Sequence, residues 1–498
     1  MTKTYTRDYW QGEFDRLKPR TGIFIDGRLR DAADGGRFER VRPMDGQVGY
    51  EIARGTGKDI DAAVASAKRA FDDRRWRDKL PADRKAVMLR WAALVREHAE
   101  ELALLETLDA GKPISDTLNV DTRSCANTLQ FYGEMIDKLN DEIMPTGPDD
   151  RALVVKEPLG VIGAVTPWNY PLIIDAWKLG PAIAAGNSVV LKPSELTPLG
   201  ALRLAELAVE AGIPEGVFNV VPGFGHDAGA TLASHNDVAM LAFTGSTATG
   251  RRIMAAAAES NMKRVALELG GKSPVIVFDD ADLDAAANAI AWGIFYNSGE
   301  TCHAPSRIVA AKKVQDELVE RVAAVVKTMR QDHPLDPATQ IGALIEEKHL
   351  DKVMGYIAKG RAEGASLRLG GGRALESTGG FYVEPTIFAD AKNSMAIARD
   401  EIFGPVLTMI PFAEESEAEQ IAGDTIYGLA AAVFTKDMTR AHRLSRSIQA
   451  GTVWVNGYDL SNISTPFGGF KQSGFGRDRS IHAIDKYMDY KTIWQRFL

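Results

Sequence analysis

The stretch Val161-Ile-Gly-Ala-Val165, followed after a turn by a helical pattern over residues 174–185, decides the fold. The same pairing of an apolar strand with a helix recurs at Ser188-Val-Val-Leu191 and residues 198–211. Short apolar runs that alternate with helices are typical of strands buried on both faces of a parallel sheet. The alternation predicts a doubly wound α/β domain that binds its ligands beyond the carboxyl ends of the strands.

Further segments extend this pattern and then repeat it. Additional strands of the first domain are predicted at 217–221, 238–243 and 264–267. A second alternation predicts strands at 274–278 and 307–310 and helices at 282–296 and 313–330. We interpret the second alternation as another α/β domain, reaching to about residue 465.

The ends of the chain are less regular. The first twenty residues are polar and are expected to form a surface arm. Residues 59–79, 82–110 and 113–139 have helical spacing, whereas residues 141–157 suggest a hairpin or an outlying strand. The C-terminus is rich in aromatic and aliphatic residues, which a neighbouring subunit would normally cover.

The composition indicates a soluble globular protein. A chain of 498 residues is too long for one ordinary core, so at least two domains are expected. The net charge of −8 argues against nucleic acid or an anionic membrane as a partner. Two cysteines suit a reducing compartment, and neither a signal peptide nor a membrane-length apolar run is evident. These features predict a cytoplasmic protein.

One of the two cysteines, Cys302, lies among glycine and polar residues in Asn297-Ser-Gly-Glu-Thr-Cys-His303. A structural cysteine usually has apolar neighbours, whereas a reactive thiol needs access and a means of becoming a thiolate. Upstream, Glu268 interrupts an apolar strand just before a glycine pair. A thiol and a half-buried carboxylate predict covalent catalysis followed by base-assisted hydrolysis.

Several turns that follow the predicted strands carry groups that could bind a dinucleotide cofactor. In Thr244-Gly-Ser-Thr-Ala-Thr-Gly250, backbone amides and a helix dipole could meet a pyrophosphate, and Gly223–Gly229 approaches the glycine-rich fingerprint. A tight turn without a ligand explains either segment equally well. Glu195 could accept hydrogen bonds from ribose hydroxyls and repel a 2′-phosphate, which favours NAD over NADP. Capping of the next helix is the alternative for Glu195.

Two more turns carry candidate polar groups. The amide of Asn169, in Thr166-Pro-Trp-Asn-Tyr-Pro171, could donate to a developing oxyanion, although asparagine beside proline is often only a turn residue. Glu401 could bind a ribose with Phe403 against a flat ring. The alternative for this pair is a strand-entry turn with a core phenylalanine.

Taken together, seven segments resemble the NAD(P)-dependent aldehyde dehydrogenase superfamily, in the order that family shows and over nearly the whole chain. They are Pro167-Trp-Asn, Lys192-Pro-Ser-Glu, Phe243-Thr-Gly-Ser, Leu267-Glu-Leu-Gly-Gly-Lys, Gly299-Glu-Thr-Cys, Glu401-Ile-Phe-Gly-Pro-Val and Pro466-Phe-Gly-Gly-Phe-Lys-Gln-Ser-Gly.

The resemblance implies three structural parts. Residues 1–140 and 158–270 would form a Rossmann-type NAD-binding domain, and residues 271–465 an α/β catalytic domain. Residues 141–157 and 480–498 would form a small β oligomerisation element. Members of the superfamily are usually homodimers or homotetramers.

The resemblance also implies the chemistry. Cys302 would attack the aldehyde carbon to give a thiohemiacetal, with Asn169 and the Cys302 N–H holding its oxyanion. Hydride transfer to nicotinamide would leave a thioester, hydrolysed by water that Glu268 activates, with Lys178 as a proton relay. Glu268 would also help to deprotonate the thiol. The implied cofactor-binding residues are Thr166, Pro167, Trp168, Lys192, Ser194, Glu195, Gly225, Gly245, Ser246, Leu269, Glu401 and Phe403. No metal is expected.

Two positions depart from the pattern of the superfamily. Glu300 stands where most relatives have glutamine, and Pro305 replaces a common glycine. A carboxylate facing the thiol would disfavour the thiolate, so the side chain of Glu300 is expected to point away. Neither change removes a group with a predicted catalytic role.

The implied substrate-binding residues are Asp121, Tyr170, Trp177, Tyr296, Thr301, His303, Asp459 and Phe467. Asp121 and Asp459 suit a cationic or amide-bearing tail, whereas Arg123 and His303 suit a carboxylate. Each of them is also interpretable as a solvated residue at the mouth of the pocket.

Asp8-Tyr-Trp-Gln11 and the segment after Gly476 resemble bacterial γ-glutamyl-γ-aminobutyraldehyde dehydrogenases of putrescine breakdown. We therefore expect an aminoaldehyde or γ-glutamyl-aminobutyraldehyde substrate, hence a role in polyamine catabolism. The alternatives are a broad-specificity aldehyde dehydrogenase, a CoA-acylating semialdehyde dehydrogenase and a non-catalytic scaffold. Retention of Glu268 argues against the CoA-acylating enzyme. Attack by water on the thioester needs a base, and in the acylating enzyme CoA rather than water takes the acyl group.

Overall fold

The computed structural model describes residues 5–497 and contains two large twisted sheets. The first four residues of the predicted surface arm and Leu498 lie outside the described residues. Within residues 5–497, no helix combines the length and the apolar composition needed to cross a membrane.

The first sheet has eight strands, of which the five central ones are parallel, as predicted. An N-terminal hairpin extends one edge, and a C-terminal strand closes the other in antiparallel pairing. The strands in spatial order are Arg28–Arg30, Ile23–Ile25, Phe218–Val220, Ser188–Lys192, Val161–Val165, Met240–Thr244, Arg264–Glu268 and Gly474–Phe475.

Helices cover both faces of this sheet and bury separate apolar cores against it. The helices on one face are Pro81–Glu97, Thr122–Met135, Pro171–Ala184 and Leu199–Ala211. The helices on the other face are Gly57–Asp72, Ala230–Ser234 and Thr247–Glu259. Cover on both faces explains why the strands read as continuous apolar runs.

The second sheet has seven strands, all parallel except for the first at one edge. In spatial order they are Ser366–Leu369, Thr386–Ala389, Val406–Phe412, Arg307–Ala311, Pro274–Val277, Ala430–Phe434 and Thr452–Val455. Its helices are Leu283–Phe295, Gln315–Val326, Glu347–Ala362, Ala396–Arg399, Glu415–Gly423 and Met438–Ser447.

A separate antiparallel sheet joins the predicted outlying segment to the C-terminus. Its strands are Met488–Arg496, Asp150–Pro158 and Glu142–Met144, in that order. The helix His482–Asp485 precedes the last strand, and its residues Ala483 and Ile484 pack in the core of the first sheet. The remaining strands form three two-stranded pairs: Arg37–Val41 with Val48–Ala53, Arg373–Ala374 with Tyr382–Val383, and Tyr427–Gly428 with Phe470–Lys471.

The structure corrects the prediction of a surface arm. Residues Arg7–Arg16 form a helix that begins after the N-cap Thr6. Its Trp10 is fully buried against Ala103, Leu104 and other apolar side chains. Trp10, Phe14 and Leu17 are spaced as i, i+4 and i+7 and pack in this cluster, a helical stripe that the high polarity of the segment obscured in the sequence.

Two long predicted helices are interrupted. The predicted helix over 82–110 is divided at His98, where Pro81–Glu97 ends and Ala99–Ala110 begins. The predicted helix over 113–139 begins with the short turn Ile114–Asp116 and then widens into a π-helical turn at Thr117–Asp121. A break at a single residue and a single π-helical turn both leave the apolar spacing largely intact, so the sequence pattern reveals neither of them.

We expect Trp10→Ala to destabilise the protein by about 3–5 kcal/mol, because it removes a fully buried indole from a packed cluster. Thermal unfolding followed by near-UV circular dichroism measures the change. Met438→Ala, at an exposed side chain, is the control and should leave the transition nearly unchanged. Equal shifts for the two variants would contradict the burial of the N-terminal helix.

Candidate active site

A strained turn precedes the candidate nucleophile. Asn297, Ser298 and Gly299 all have positive φ angles, of 47°, 53° and 75°. A Cβ atom on Gly299 would lie 2.2 Å from the Gly404 carbonyl oxygen, so a side chain is excluded there. Because non-glycine residues with positive φ cost free energy, the surrounding structure must hold this turn. The turn fixes the backbone that leads to Cys302.

The thiol of Cys302 is half-buried beside an ion pair. Its Sγ lies 3.7 Å from Nδ1 of His303, and Nε2 of His303 lies 2.9 Å from a carboxylate oxygen of Asp459. Burial opposes protonation of His303, but the Asp459 carboxylate outweighs it and raises the pKa of His303 to about 10. The imidazole that adjoins the thiol is therefore one whose protonated form is strongly favoured.

Asn169 is buried at the turn after the strand Val161–Val165. Its side-chain amide donates to the Glu300 carbonyl at 2.9 Å. The Asn169 carbonyl accepts from the amide of Asn297 at 3.1 Å and from Nζ of Lys112 at 3.4 Å. These bonds tie the predicted oxyanion donor to the segment that carries the thiol.

Glu268 ends the strand Arg264–Glu268 in a nearly dry environment. Within residues 5–497, neither of its carboxylate oxygens has a hydrogen-bond partner. A Cβ atom on Gly468 would lie 2.6 Å from one of these oxygens, so glycine lets the chain pass close to the carboxyl group. Burial, together with the Asp478 carboxylate, raises the pKa of Glu268 well above its usual value, and Lys178 opposes the shift.

Lys178 lies in a buried ion cluster with Asp478 and Lys486. The two Nζ to carboxylate distances are both 2.5 Å, one to each oxygen of Asp478. Burial lowers the pKa of Lys178, while Asp478 and Glu268 oppose that shift. The predicted relay lysine is thus held by an aspartate that the sequence interpretation did not single out.

The carboxylate of Glu300 faces a neighbouring loop, in line with the prediction. One of its oxygens accepts from the Ile345 N–H at 3.0 Å and lies 3.7 Å from Nε2 of His349. Burial raises the pKa of Glu300 well above its usual value, opposed by the Ile345 N–H.

The predicted adenosine-ribose residues lie at the end of the strand Ser188–Lys192. Nζ of Lys192 is 3.3 Å from a carboxylate oxygen of Glu195, and Oγ of Ser194 accepts from the Leu196 N–H. The N–H of Thr166 donates to the Lys192 carbonyl at 3.2 Å, which brings two strand ends together.

The predicted pyrophosphate residues lie at neighbouring turns. Ser246 is the N-cap of the helix Thr247–Glu259 and accepts from the Thr249 N–H. The Gly245 N–H donates to the Glu268 carbonyl at 3.0 Å, and a side chain at Gly225 would meet open space. The Leu269 N–H donates to the Ser473 carbonyl at 3.0 Å, and the Leu269 side chain is buried in the apolar core on one face of the first sheet.

The predicted nicotinamide-end residues approach the strand of Glu268. Glu401 accepts from the Gly271 N–H at 2.9 Å. The ring of Phe403, with φ of 62°, meets Trp168, which follows Pro167, edge to face at 5.3 Å. Nε2 of His349 donates to the Phe403 carbonyl at 2.6 Å, and burial lowers the pKa of this imidazole to about 4.

A cavity of about 500 Å³ leads from the surface to Cys302. Its walls include most residues of the predicted substrate set. These are Tyr170, Trp177, Tyr296, His303, Asp459 and Phe467, together with Arg123, Ser124 and Ile173. Trp454 and Arg479 also line the cavity, and the sequence interpretation missed both.

Two predicted substrate residues do not line this cavity. Asp121 is fully buried and forms an ion pair with Lys112, because the π-helical turn directs it into the protein. The prediction that Asp121 meets a substrate tail is therefore wrong. Thr301 is buried behind the wall, where its hydroxyl bonds to that of Tyr170 at 2.7 Å.

Several residues that hold the site in place could hardly be predicted from the sequence. Asp478 and Lys486 lie in the C-terminal segment, two hundred residues from Glu268. The charged run Arg477-Asp-Arg479, just after a glycine-rich stretch, was the one available hint. Lys112, Asn297 and His349 act through backbone carbonyls, which sequence patterns do not specify.

The fold and the cleft together define an α/β protein of two large sheets with a half-buried thiol in the lining of its cavity. The model of the aldehyde dehydrogenase family matches residues 30–493 of this chain. The chain therefore belongs to the aldehyde dehydrogenase family. This membership confirms the predicted fold class, the resemblance and the prediction of an aldehyde dehydrogenase.

Individual relatives are similar over nearly their whole length. The chain is 48% identical to the NADP/NAD-dependent aldehyde dehydrogenase PuuC of Escherichia coli (strain K12), over 98% of each chain. It is also 48% identical to an aminoacetaldehyde dehydrogenase of Pseudomonas aeruginosa, over 99% of each. The crystal structure of the gamma-glutamyl-gamma-aminobutyraldehyde dehydrogenase of Burkholderia cenocepacia J2315 is 52% identical with a TM-score of 0.97, covering 99% of this chain and 100% of that one.

We expect Asp478→Asn to destabilise the protein by about 3–5 kcal/mol, because it leaves the buried ammonium group of Lys178 and the half-buried one of Lys486 without their carboxylate. Asp489→Asn is the matched control, since it breaks an exposed ion pair with Arg264 and should cost less than about 1 kcal/mol. Denaturant unfolding of both variants measures the difference. Similar losses would show that the Asp478 cluster contributes no more than a surface ion pair.

Proposed function

We propose that this chain oxidises an aldehyde to a carboxylic acid through a covalent intermediate on Cys302, with NAD as the cofactor. One observation carries the proposal: Cys302 lines a cavity open to the surface, and an adjoining strand ends at the buried Glu268, whose carboxyl oxygens have no hydrogen-bond partner among residues 5–497. Gly271 links the two, because a Cβ atom there would lie 2.4 Å from the Cys302 carbonyl oxygen.

The residues present fit a nicotinamide dinucleotide. Glu195 offers a half-buried carboxylate to a ribose, with one oxygen already held by Lys192. Glu401 uses one oxygen for the Gly271 N–H, which leaves the other for ribose hydroxyls. The exposed start of the helix at Ser246 offers backbone N–H groups to a phosphate. When bound, the dinucleotide supplies the acceptor for the hydride.

The carboxylate of Glu195 supports NAD over NADP. A second negative charge, on a 2′-phosphate, would repel this carboxylate. The E. coli relative is named for both cofactors, so the proposal for this chain concerns preference rather than exclusion.

Different residues of the chain carry out the successive steps of the reaction. The Cys302 sulfur attacks the carbonyl carbon, and the amide of Asn169 stabilises the oxyanion after releasing its bond to Glu300. Glu268 accepts a proton from the water that hydrolyses the thioester. The Lys178–Asp478 cluster provides a polar route by which that proton leaves.

Glu268 must be ionised to act as a base. Its raised pKa favours the protonated carboxyl group in this dry conformation. Rising pH favours the base form, so hydrolysis of the thioester should accelerate as the pH rises.

We expect Glu268→Gln to retain a first-turnover burst of NADH while steady turnover falls by about 10²–10⁴-fold, because only deacylation loses its base. The rise in turnover with pH should also disappear. Stopped-flow absorbance of NADH measures both phases. Cys302→Ala is the control and should abolish both phases while NAD binding is retained. Equal loss of burst and turnover in Glu268→Gln would contradict this division of roles.

For the substrate, we propose an aminoaldehyde whose nitrogen is carried in a γ-glutamyl amide. Asp459 is already paired with His303, so it offers little to a free ammonium group. Arg123 is exposed on the wall of the cavity, and Arg479 lies within it. These positive groups favour a tail with a carboxylate, such as the glutamyl group. The names of the Burkholderia and Pseudomonas relatives support an aminoaldehyde.

We expect γ-glutamyl-aminobutyraldehyde to exceed aminobutyraldehyde, betaine aldehyde, succinic semialdehyde and hexanal in kcat/KM with NAD. Arg123→Ala should lower kcat/KM for the glutamylated substrate by about threefold to tenfold, through KM, and leave hexanal unchanged. Arg446→Ala, at an exposed arginine outside the cavity, is the control. An advantage of tenfold or more for simple aliphatic aldehydes would contradict the proposed substrate, and dependence on CoA would favour the acylating alternative.

We also propose that the chain assembles as a homodimer or homotetramer through the outlying sheet. Tyr490, Trp494 and Phe497 are largely exposed on its C-terminal strand and its continuation. The division into an NAD-binding domain, a catalytic domain and an oligomerisation element, and a cytoplasmic location, stay predictions. The molar mass in solution by light scattering tests the assembly.

A further inference from the structure

We propose that His303, oriented by Asp459, holds the Cys302 sulfur as a thiolate in the resting enzyme. This inference deepens the proposed function and rests on Cys302 being the nucleophile. It assigns activation of the thiol to a different group from the one that activates water.

The geometry is that of a relay of three side chains. Sγ of Cys302, the imidazole of His303 and the carboxylate of Asp459 follow one another, with distances of 3.7 Å and 2.9 Å. The two contacts use opposite ring nitrogens, Nδ1 towards sulfur and Nε2 towards the carboxylate. A base whose second nitrogen is fixed by a carboxylate is the arrangement by which cysteine nucleophiles are activated.

The imidazole is held in this orientation by its surroundings. Its ring packs edge to face against Phe467 at 5.7 Å and lies 6.1 Å from Trp454. The hydroxyl of Tyr458 donates to the backbone carbonyl of His303. Packing of the ring and anchoring of its backbone keep Nδ1 directed at the sulfur.

The groups that face the pair favour a positive imidazole. Asp459 is the carboxylate in direct contact with it, and Arg479 lies within electrostatic reach of Asp459. Tyr170 and Tyr458 are the other titratable side chains near the sulfur, and burial raises the pKa of both well above the usual value. Both phenols therefore stay neutral, and the balance at the sulfur is set by His303 and Asp459.

Glu268 is less suited than His303 to accept the proton of the thiol, because its surroundings favour its protonated form. Within the described part of the chain, no group donates a hydrogen bond to its carboxyl oxygens, and burial raises its pKa well above the usual value. A protonated carboxyl group cannot accept the thiol proton. His303 can do so without any movement of Glu268.

The proposed step is a single proton transfer. The Sγ–H bond breaks and leaves its electron pair on sulfur, while a bond forms between that proton and Nδ1 of His303. The imidazole becomes a cation with N–H groups at both nitrogens, one directed at the thiolate and one at the Asp459 carboxylate. The total charge of the three groups is unchanged.

The rate of alkylation by iodoacetamide tests this assignment in the full-length protein without cofactor. Thiolate is the reactive form, so the dependence of the rate on pH reports its fraction. Labelling is measured by intact mass from about pH 5.5 to 10.5. Cys302→Ala corrects for labelling of Cys125, the second cysteine, which is fully buried.

We expect the wild-type profile to have its midpoint below that of an ordinary thiol, about pH 8.5. His303→Gln should move the midpoint upwards by about one pH unit or more, which lowers the rate at about pH 6.5 by about tenfold and leaves it similar at about pH 10.5. Asp459→Asn should shift it in the same direction by less. His442→Gln, at an exposed histidine elsewhere, should leave the profile unchanged.

Profiles of His303→Gln and Asp459→Asn that coincide with the wild type would overturn the proposal. A uniform loss of rate at every pH would also overturn it, because that pattern reports a positional role alone. NADH formation from aldehydes is measured in parallel. If His303→Gln shifts the profile but the wild type turns over no aldehyde, the thiolate pair is supported and the proposed function is contradicted. If His303→Gln leaves the profile unshifted and the wild type turns over aldehydes normally, the proposed function is supported and the thiolate pair is contradicted.

Discussion

The site depends on one short antiparallel pairing, between Gly474–Phe475 and the strand that ends at Glu268. Gly474 is opposite Glu268, with φ of 109°, and a Cβ atom there would lie 1.9 Å from the Leu267 carbonyl oxygen. Only glycine allows this approach. Next to it, Ser473 donates to the Gly270 carbonyl and accepts from the Gly428 N–H, which ties the segment after the first sheet's strand Arg264–Glu268 to the segment just before the second sheet's strand Ala430–Phe434. The pairing therefore closes the first sheet and covers Glu268 in one step.

This closure has electrostatic consequences. It brings Gly468 against the Glu268 carboxyl group and places Asp478 between the buried Lys178 and the half-buried Lys486. Exclusion from water raises the pKa of the Glu268 carboxyl group, whereas the two ammonium groups lower the pKa of the Asp478 carboxyl group. The pKa values of two acidic side chains in one region are thus shifted in opposite directions. The half-buried thiol lies on the cavity side, where His303 and Asp459 form a separate ion pair.

Much of the fold could be predicted from the sequence because its central strands are buried on both faces. Such strands read as short apolar runs, and the runs at 161–165 and 188–191 fall within one residue of the observed strands. The candidate site was equally accessible, since Cys302 and Glu268 stand out as polar interruptions at the ends of regular elements. Cys302 precedes the strand Arg307–Ala311 of the second sheet instead of following a strand, so its approach to the strand that ends at Glu268 is a tertiary contact that the strand pattern does not predict.

The parts of the fold and of the site that could not be predicted depend on contacts between residues distant in sequence, which local patterns do not encode. The strand Gly474–Phe475 has two residues, too few for any periodicity, and its partner is two hundred residues away. Asp121 is directed inwards by a π-helical turn, so its charge pairs with Lys112 instead of facing a substrate. Trp10 lies in a largely polar helix, and apolar residues that are distant in sequence bury it. In each case tertiary packing outweighed the local preference.

The measurement that tests the central claim most directly is intact-mass analysis of acid-quenched Glu268→Gln protein after mixing with NAD and an aldehyde. The account predicts a stoichiometric adduct with the mass of the acyl group, located on the peptide that contains Cys302 and removed by hydroxylamine. The absence of an adduct while NADH forms, or an adduct on any other residue, would contradict covalent catalysis at Cys302.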